Sequence, residues 1–168
     1  AIVHNGIVEN YLEIRDQLES KGIKFSSQTD SEVIANFLSL EIKNGANLFS
    51  GISKLKNIIR GNSSIIAISK SNTKEIIGLR IGNAGGIVVG SDNEGTYISS
   101  DLSSLLPRTN KILYLESEEI IRVSNGDYQL FNSNLEEIER PMQNIEVDDY
   151  DVDKGEFLHY MTKEINEQ

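Results

Sequence analysis

The sequence predicts an α+β domain in which helices come first and antiparallel strands follow. Two observations carry this. Apolar residues recur at three-to-four spacing as far as about residue 60, and from Ser64 onward they give way to short β-branched runs separated by turn residues. At 168 residues, 38% of them hydrophobic, the chain suits one compact domain that buries roughly two-thirds of the surface its unfolded form would expose.

The opening Ala1-Ile2-Val3-His4 is apolar and has no initiating Met, so it reads as the interior of a strand and the chain as a fragment. After Asn10, Tyr11, Ile14 and Leu18 share a helical face, and Lys21-Gly22 supplies a stop, giving a helix from about 10 to 21. Thr29-Asp30-Ser31-Glu32 fits a capping box, with Thr29 capping and Glu32 reaching back. The helix it starts carries Val33, Ile34, Phe37 and Leu38 on one face and ends at Asn44-Gly45. A third helix is expected over 48–60, from Leu48, Ile52, Leu55, Ile58 and Ile59, with Gly61 ending it.

Strands are then expected at 64–69, 75–80, 86–90, 96–99, 111–115, 118–123 and 127–131. Ser71-Asn72, Asp92-Asn93-Glu94-Gly95 and Asn125-Gly126 supply turns, the last being the strongest hairpin signal. Asp101 to Leu106 adds one helical turn before Pro107, and the Gly82, Gly85, Gly86, Gly90 spacing marks a bend rather than a phosphate loop. Residues 146–168 differ in composition, with eight acidic residues against Lys154 and Lys163, and read as a solvated linker.

Sixteen Lys and Arg against 26 Asp and Glu give a net charge of -10. Phosphate backbones and anionic membranes are repelled by such a chain, so neither nucleic acid nor a membrane is expected as a partner. There is no cysteine, which removes disulfides, Cys-ligated metals and a thiol nucleophile supplied by this chain. No signal sequence or apolar span is seen, and a cytoplasmic location is expected. His4 and His159 are far apart in sequence and give no metal pattern. Asp149-Tyr150-Asp151-Val152-Asp153 opens like a calcium loop, but Lys154 stands where the turn glycine belongs and Tyr160 where the bidentate Glu belongs. No metal site is expected.

Ala1 to Asn10, A-I-V-H-N-G-I-V-E-N, is the informative stretch. Asn5-Gly6 reads as a tight turn joining Ile2-Val3 to Ile7-Val8. The same geometry also sets an Asn carboxamide beside a Gly main-chain N–H, a two-donor pocket for a developing oxyanion.

H-N-G-I-V-E-N at 4–10 resembles the loop in the glutaminase domain of the glutamine–fructose-6-phosphate aminotransferase family, within the N-terminal-nucleophile glutamine amidotransferases. S-Q-T-D-S-E-V at 27–33 resembles that family's S-x-T-D-T/S-E-V segment, and H-Y-M-T-K-E-I-N-E-Q at 159–168 the junction into its sugar-phosphate isomerase half. The N-G element is shared with asparagine synthetase and amidophosphoribosyltransferase, so the junction is the more selective match.

The resemblance implies a four-layer α/β/β/α sandwich of antiparallel sheets, incomplete at its N-terminus. Residues 1–145 would be the later part of the glutaminase domain, and 146–168 a linker toward an absent isomerase domain. It assigns Asn5 and Gly6 to the oxyanion hole and Asp30 to the α-ammonium of glutamine. It implies no cofactor, glutamine as substrate, the isomerase domain of the same parent chain as partner, and a homodimeric parent. The family's nucleophilic cysteine and its T-R-W-A-T-H-G arginine are not in this chain, and its R-x-G-S-P loop appears as Arg80-Ile81-Gly82-Asn83-Ala84. The chain alone is therefore expected to be inactive. A second reading is a non-catalytic acidic binding module with a calcium-responsive tail.

Overall fold

The computed structural model describes residues 1–83, 85–146, 159, 161 and 162. Apart from Glu146, His159, Met161 and Thr162, the tail read as a linker, with the loop at 149–160, therefore lies outside the described residues. So does most of the 159–168 junction.

Strand β1 (Ile2–Gly6) opens the chain, followed by helices α1 (Tyr11–Ser20), α2 (Asp30–Lys43) and α3 (Leu48–Lys56). The strands that follow are β2 (Ser63–Ser69), β3 (Asn72–Ile81), β4 (Val88–Ser91), β5 (Thr96–Ser99), β6 (Lys111–Tyr114), β7 (Ile120–Ser124) and β8 (Asp127–Phe131). Two short strands, β9 (Glu137–Ile138) and β10 (Gln143–Asn144), complete the order and have no counterpart in the sequence reading. Two residues are too few for an alternating pattern to register.

The strands form two antiparallel sheets, one ordered β1-β2-β3-β7-β8-β9 and the other β10-β6-β4-β5. On one face of the larger sheet the three helices bury Ile14, Leu18, Val33, Ile34, Ile52 and Leu55 against Ile65, Ala67, Ile77 and Leu79. On its other face Ile121, Val123 and Leu130 meet Ile87, Val89, Leu113 and Leu115, on or beside the smaller sheet. Alternation along each strand feeds both cores: β3 sends Ile77 and Leu79 toward the helices, and β7 sends Ile121 and Val123 toward the second sheet. Thus helix, sheet and sheet make three layers. The outer face of the smaller sheet is covered by Leu102, Leu105 and Leu106, from a turn segment whose Leu106 N–H reaches the Leu102 carbonyl at 3.2 Å.

Local chemistry explains several boundaries. Thr29 caps α2 by accepting the Glu32 N–H at 3.3 Å, but Glu32 does not reach back to it. Its carboxylate instead takes the Ser26 and Ser27 N–H groups at 2.7 and 2.6 Å and the Ser27 hydroxyl at 2.6 Å. These donors hold the Glu32 carboxyl below its usual range, the Ser27 hydroxyl contributing most. The 125–126 hairpin has both central residues at positive φ, 55° and 88°, the geometry that Asn-Gly favours. Helix α3 stops at Lys56 rather than continuing to 60 because buried Asn10 claims the next segment. Its carboxamide donates to the Ile58 carbonyl at 3.0 Å and accepts the Arg60 N–H at 2.8 Å.

Asn5-Gly6 is not a hairpin turn. Strand β1 pairs antiparallel with β2 through Gly6↔Ser63. Beyond it the chain stays extended, with the Ile7 N–H on the Asn62 carbonyl at 2.8 Å and the Glu9 N–H on the Arg60 carbonyl at 2.9 Å. Gly6 sits at φ +132°, where a Cβ would lie 2.2 Å from the Asn62 carbonyl oxygen. Two independent penalties therefore select glycine there, an unfavourable dihedral and a backbone clash. Gly22, at φ +82° with open space around it, carries the first penalty alone. Gly6→Ala should cost about 1–3 kcal/mol in dihedral strain with the displacement of residue 62 added to it. Urea denaturation is expected to show a larger loss for Gly6→Ala than for Gly22→Ala, and an equal loss would mean that the approach to Asn62 is not tight in solution.

Candidate functional site

The three residues marked by the sequence lie around the C-terminal end of β1. That strand is at the edge of the larger sheet. The Ile68 N–H bonds the Ala1 carbonyl and the Ile7 N–H bonds the Asn62 carbonyl, so the odd-numbered residues of β1 exchange ladder bonds with β2. In an antiparallel ladder the intervening residues turn their N–H groups the other way. By that parity the Gly6 N–H is directed off the open sheet edge.

Asn5 belongs to the face of β1 opposite His4. It is exposed, and it stands over Ser64, its register partner. Its carboxamide nitrogen lies 2.9 Å from where a Cβ of Gly85 would be, so a side chain at 85 would crowd it. The Ser64 hydroxyl bonds the Gly85 carbonyl at 3.2 Å, and the Asn62 carboxamide oxygen takes the Asn83 N–H at 2.9 Å. These bonds hold the loop after β3 against the start of β2, beside Asn5. A cleft of about 330 Å³ opens here between the sheets, lined by Val3, Asn5, Ser64, Ile66, Gly86 and Ile98 among others.

Asp30 is the first residue of α2, where the helix dipole favours a carboxylate. One oxygen accepts the Val8 N–H at 3.0 Å. The other faces His4 Nδ1 at 3.9 Å. Since the Asp30 side chain is 24% exposed, the carboxylate keeps access to solvent beside these two partners. The structure thus joins Asp30 directly to the segment that follows Gly6, while the Asn5 carboxamide projects from the opposite face of the strand.

Sequence reasoning missed His4, Ser31, Ser63, Asn62 and Gly85 as parts of this corner. His4 Nδ1 is 2.9 Å from the Ser31 hydroxyl and Nε2 is 3.2 Å from the Ser63 hydroxyl. The His4 side chain is only 2% exposed. Burial pulls its pKa below the ordinary value, an effect that the Asp30 charge opposes in part. Strand alternation could have placed His4 on the helix face with Ile2, but its partners come from residues 27 and 59 positions away.

The described residues contain no group of three or more His, Cys, Asp or Glu placed to hold a metal ion. Among them no helix is long and apolar enough to cross a membrane.

Residues 1–107 match the family described as Glutamine amidotransferase domain. Over all 168 residues the chain is 36% identical to the glutamine–fructose-6-phosphate aminotransferase (isomerizing) of Acinetobacter baylyi. It is 35% identical to the enzyme of that name from Fusobacterium nucleatum. In both cases the chain spans about a quarter of the relative's own length, 27%. Among solved structures, the glutamine phosphoribosylpyrophosphate amidotransferase of B. subtilis superposes with a TM-score of 0.66 at 19% identity, covering 82% of this chain and 30% of that one. At that identity the likeness is one of fold, two antiparallel sheets packed beside a helical layer. Because the family match spans residues 1–107, well over half of the 168 residues, the chain belongs to the glutamine amidotransferase domain family.

Proposed function

We propose that this chain is the glutaminase part of an enzyme that transfers the amide nitrogen of glutamine to fructose 6-phosphate, giving glucosamine 6-phosphate and glutamate. The observation that carries this reading is the similarity, along essentially all of this chain, to aminotransferases of that name. On this reading residues 1–145 are the later part of the glutaminase domain. Residues 146–168 lead to an isomerase domain of the same parent, which is a cytoplasmic homodimer.

In the mechanism, a thiolate carried outside this chain attacks the amide carbon of glutamine. The carbon becomes tetrahedral and the former carbonyl oxygen takes up negative charge. The Asn5 carboxamide N–H and the Gly6 main-chain N–H, adjacent on the strand edge, supply donors to that oxygen without having to reorganise as charge develops. Ammonia leaves, and water then releases glutamate from the thioester. Asp30 pairs with the α-ammonium of the substrate. That ion pair exists before and during the reaction, so it contributes to binding rather than to the chemical step. Val8 N–H holds one Asp30 oxygen at 3.0 Å, and the second oxygen is the one available to the ammonium.

Three outcomes test this. The 168-residue chain alone should release no glutamate from glutamine above background, because it contains no cysteine to serve as the thiolate. In the protein that carries this chain together with the nucleophile, Asn5→Ala should lower kcat for glutamine hydrolysis by about 10²- to 10³-fold. An unchanged kcat would leave Asn5 a packing residue only.

Asp30→Asn keeps the side-chain shape and an acceptor for the Val8 N–H. It removes the charge that pairs with the ammonium, so the Michaelis constant for glutamine should rise, with a cost of roughly 1.5–3 kcal/mol for a charged hydrogen bond. Thermal stability should fall by only a few tenths of a kcal/mol through the helix dipole. Lost stability with unchanged glutamine kinetics would remove Asp30 from the substrate site.

A further inference from the structure

His4 is the one buried titratable side chain at this corner that the proposed mechanism does not use. Its ring spans from α2 to β2. On one side Nδ1 approaches the Ser31 hydroxyl at 2.9 Å, with an Asp30 oxygen 3.9 Å away. On the other, Nε2 approaches the Ser63 hydroxyl at 3.2 Å, and Ser63 is fully buried. A serine hydroxyl can either donate or accept, so the serines alone do not fix the tautomer. Asp30 does: a bare Nδ1 lone pair turned toward a carboxylate is repelled, whereas an Nδ1–H dipole is attracted. Ser31 then accepts from Nδ1, and Ser63 donates to Nε2.

We propose that His4 is a positioning residue for the glutamine α-ammonium site, a neutral Nδ1–H imidazole that fixes the Asp30 end of α2 against the strand bearing Asn5 and Gly6. The proposal rests on the substrate role of Asp30 given above. The His4 ring meets Ser31 and Ser63 on the helix face of β1, opposite the Asn5 side chain. Its effect is to set how far the ammonium partner stands from the oxyanion corner. Glutamine must reach both at once, so a displaced Asp30 carboxylate weakens the hold on the substrate ammonium.

Protonation should be resisted. The groups facing the ring are Ser31 and Asp30 on α2 and Ser63 on β2. Desolvation of the ring outweighs the attraction of Asp30 and lowers the pKa. An unfolded His4 would titrate at about 6.5, so the unfolded chain takes up the proton first. Stability from this site is therefore complete above that pH and falls as the pH drops below it toward the folded-state value.

The chain has only two histidines, so long-range proton–nitrogen NMR correlation on the intact chain, with His159→Gln for assignment, reads the His4 tautomer directly. A protonated Nδ1 with bare Nε2 at neutral pH is expected, and the reverse would overturn the proposal without bearing on Asp30. In the protein carrying the nucleophile, His4→Gln keeps a polar group near the Nε2 position but loses the Nδ1–H. The glutamine Michaelis constant should rise about tenfold, the scale of a weakened charged hydrogen bond, with kcat little changed. His4→Asn, whose amide can occupy the Nδ1 position, should restore most of the affinity. If Asp30→Asn raises the Michaelis constant and His4→Gln does not, His4 is only a packing residue and the inference falls. If Asp30→Asn itself has no effect, the substrate reading falls and takes this inference with it. The drop in stability between pH 7 and 5 should be smaller in His4→Gln than in the parent chain, and an identical drop would count against the lowered His4 pKa.

Discussion

The hydrogen bond from the Val8 N–H to the Asp30 carboxylate joins the two parts on which the corner depends. Val8 is completely buried, so its backbone position is fixed by the helix-side core. Asp30 begins α2, whose Val33, Ile34, Phe37 and Leu38 enter that same core. A charge-assisted bond between two elements so held is geometrically stiff. It sets where β1 ends relative to the helix layer, and with it the positions of Asn5 and Gly6.

Around this bond the structure relies on close backbone approach rather than on bulk. Gly6 and Gly61 stand where a Cβ would meet a main-chain carbonyl oxygen, at 2.2 and 2.4 Å, while at Gly82 it would meet the Asn62 side chain. Gly85 leaves room for the Asn5 carboxamide. Each glycine gives up side-chain packing, and the entropy cost of ordering it has to be offset by the cores on either side of the sheet. Those cores are extensive, and polar groups in the corner are satisfied by one another: Asn10 by 58–60, His4 by two serines, Asn62 by the Asn83 N–H. Such mutual pairing removes much of the cost of burying polar groups at this corner.

Among the described residues β1 is an edge strand of the larger sheet. An edge strand leaves alternate N–H groups without ladder partners, and on β1 one of these belongs to Gly6. In a central strand that donor would be consumed by pairing. Placement at the edge and the cleft beside Asn5 would, on the proposed reading, both keep donors accessible.

The sequence by itself determined the order of elements and the residues worth inspecting. Helical spacing from Tyr11 to Leu18 and from Val33 to Leu38, the Thr29 cap and the Asn125-Gly126 hairpin are local properties, fixed by side chains within a few positions of one another, and each was legible. Asn5, Gly6 and Asp30 were singled out through motif, and their roles remain a proposal. Tertiary structure decided the rest. Asn5-Gly6 reads locally as a turn, yet long-range bonds to Asn62 and Arg60 keep it extended. Asn10 shortens α3 from 48 positions away, and Glu32 abandons its capping box for the Ser26-Ser27 amides. His4 had no local signal, because its meaning lies in Ser31 and Ser63, brought to it only when a helix and a strand pack on the two sides of one ring. Periodicity and capping act over a single turn or pleat, whereas the geometry of a site depends on which distant backbone groups the packed cores bring within hydrogen-bonding distance.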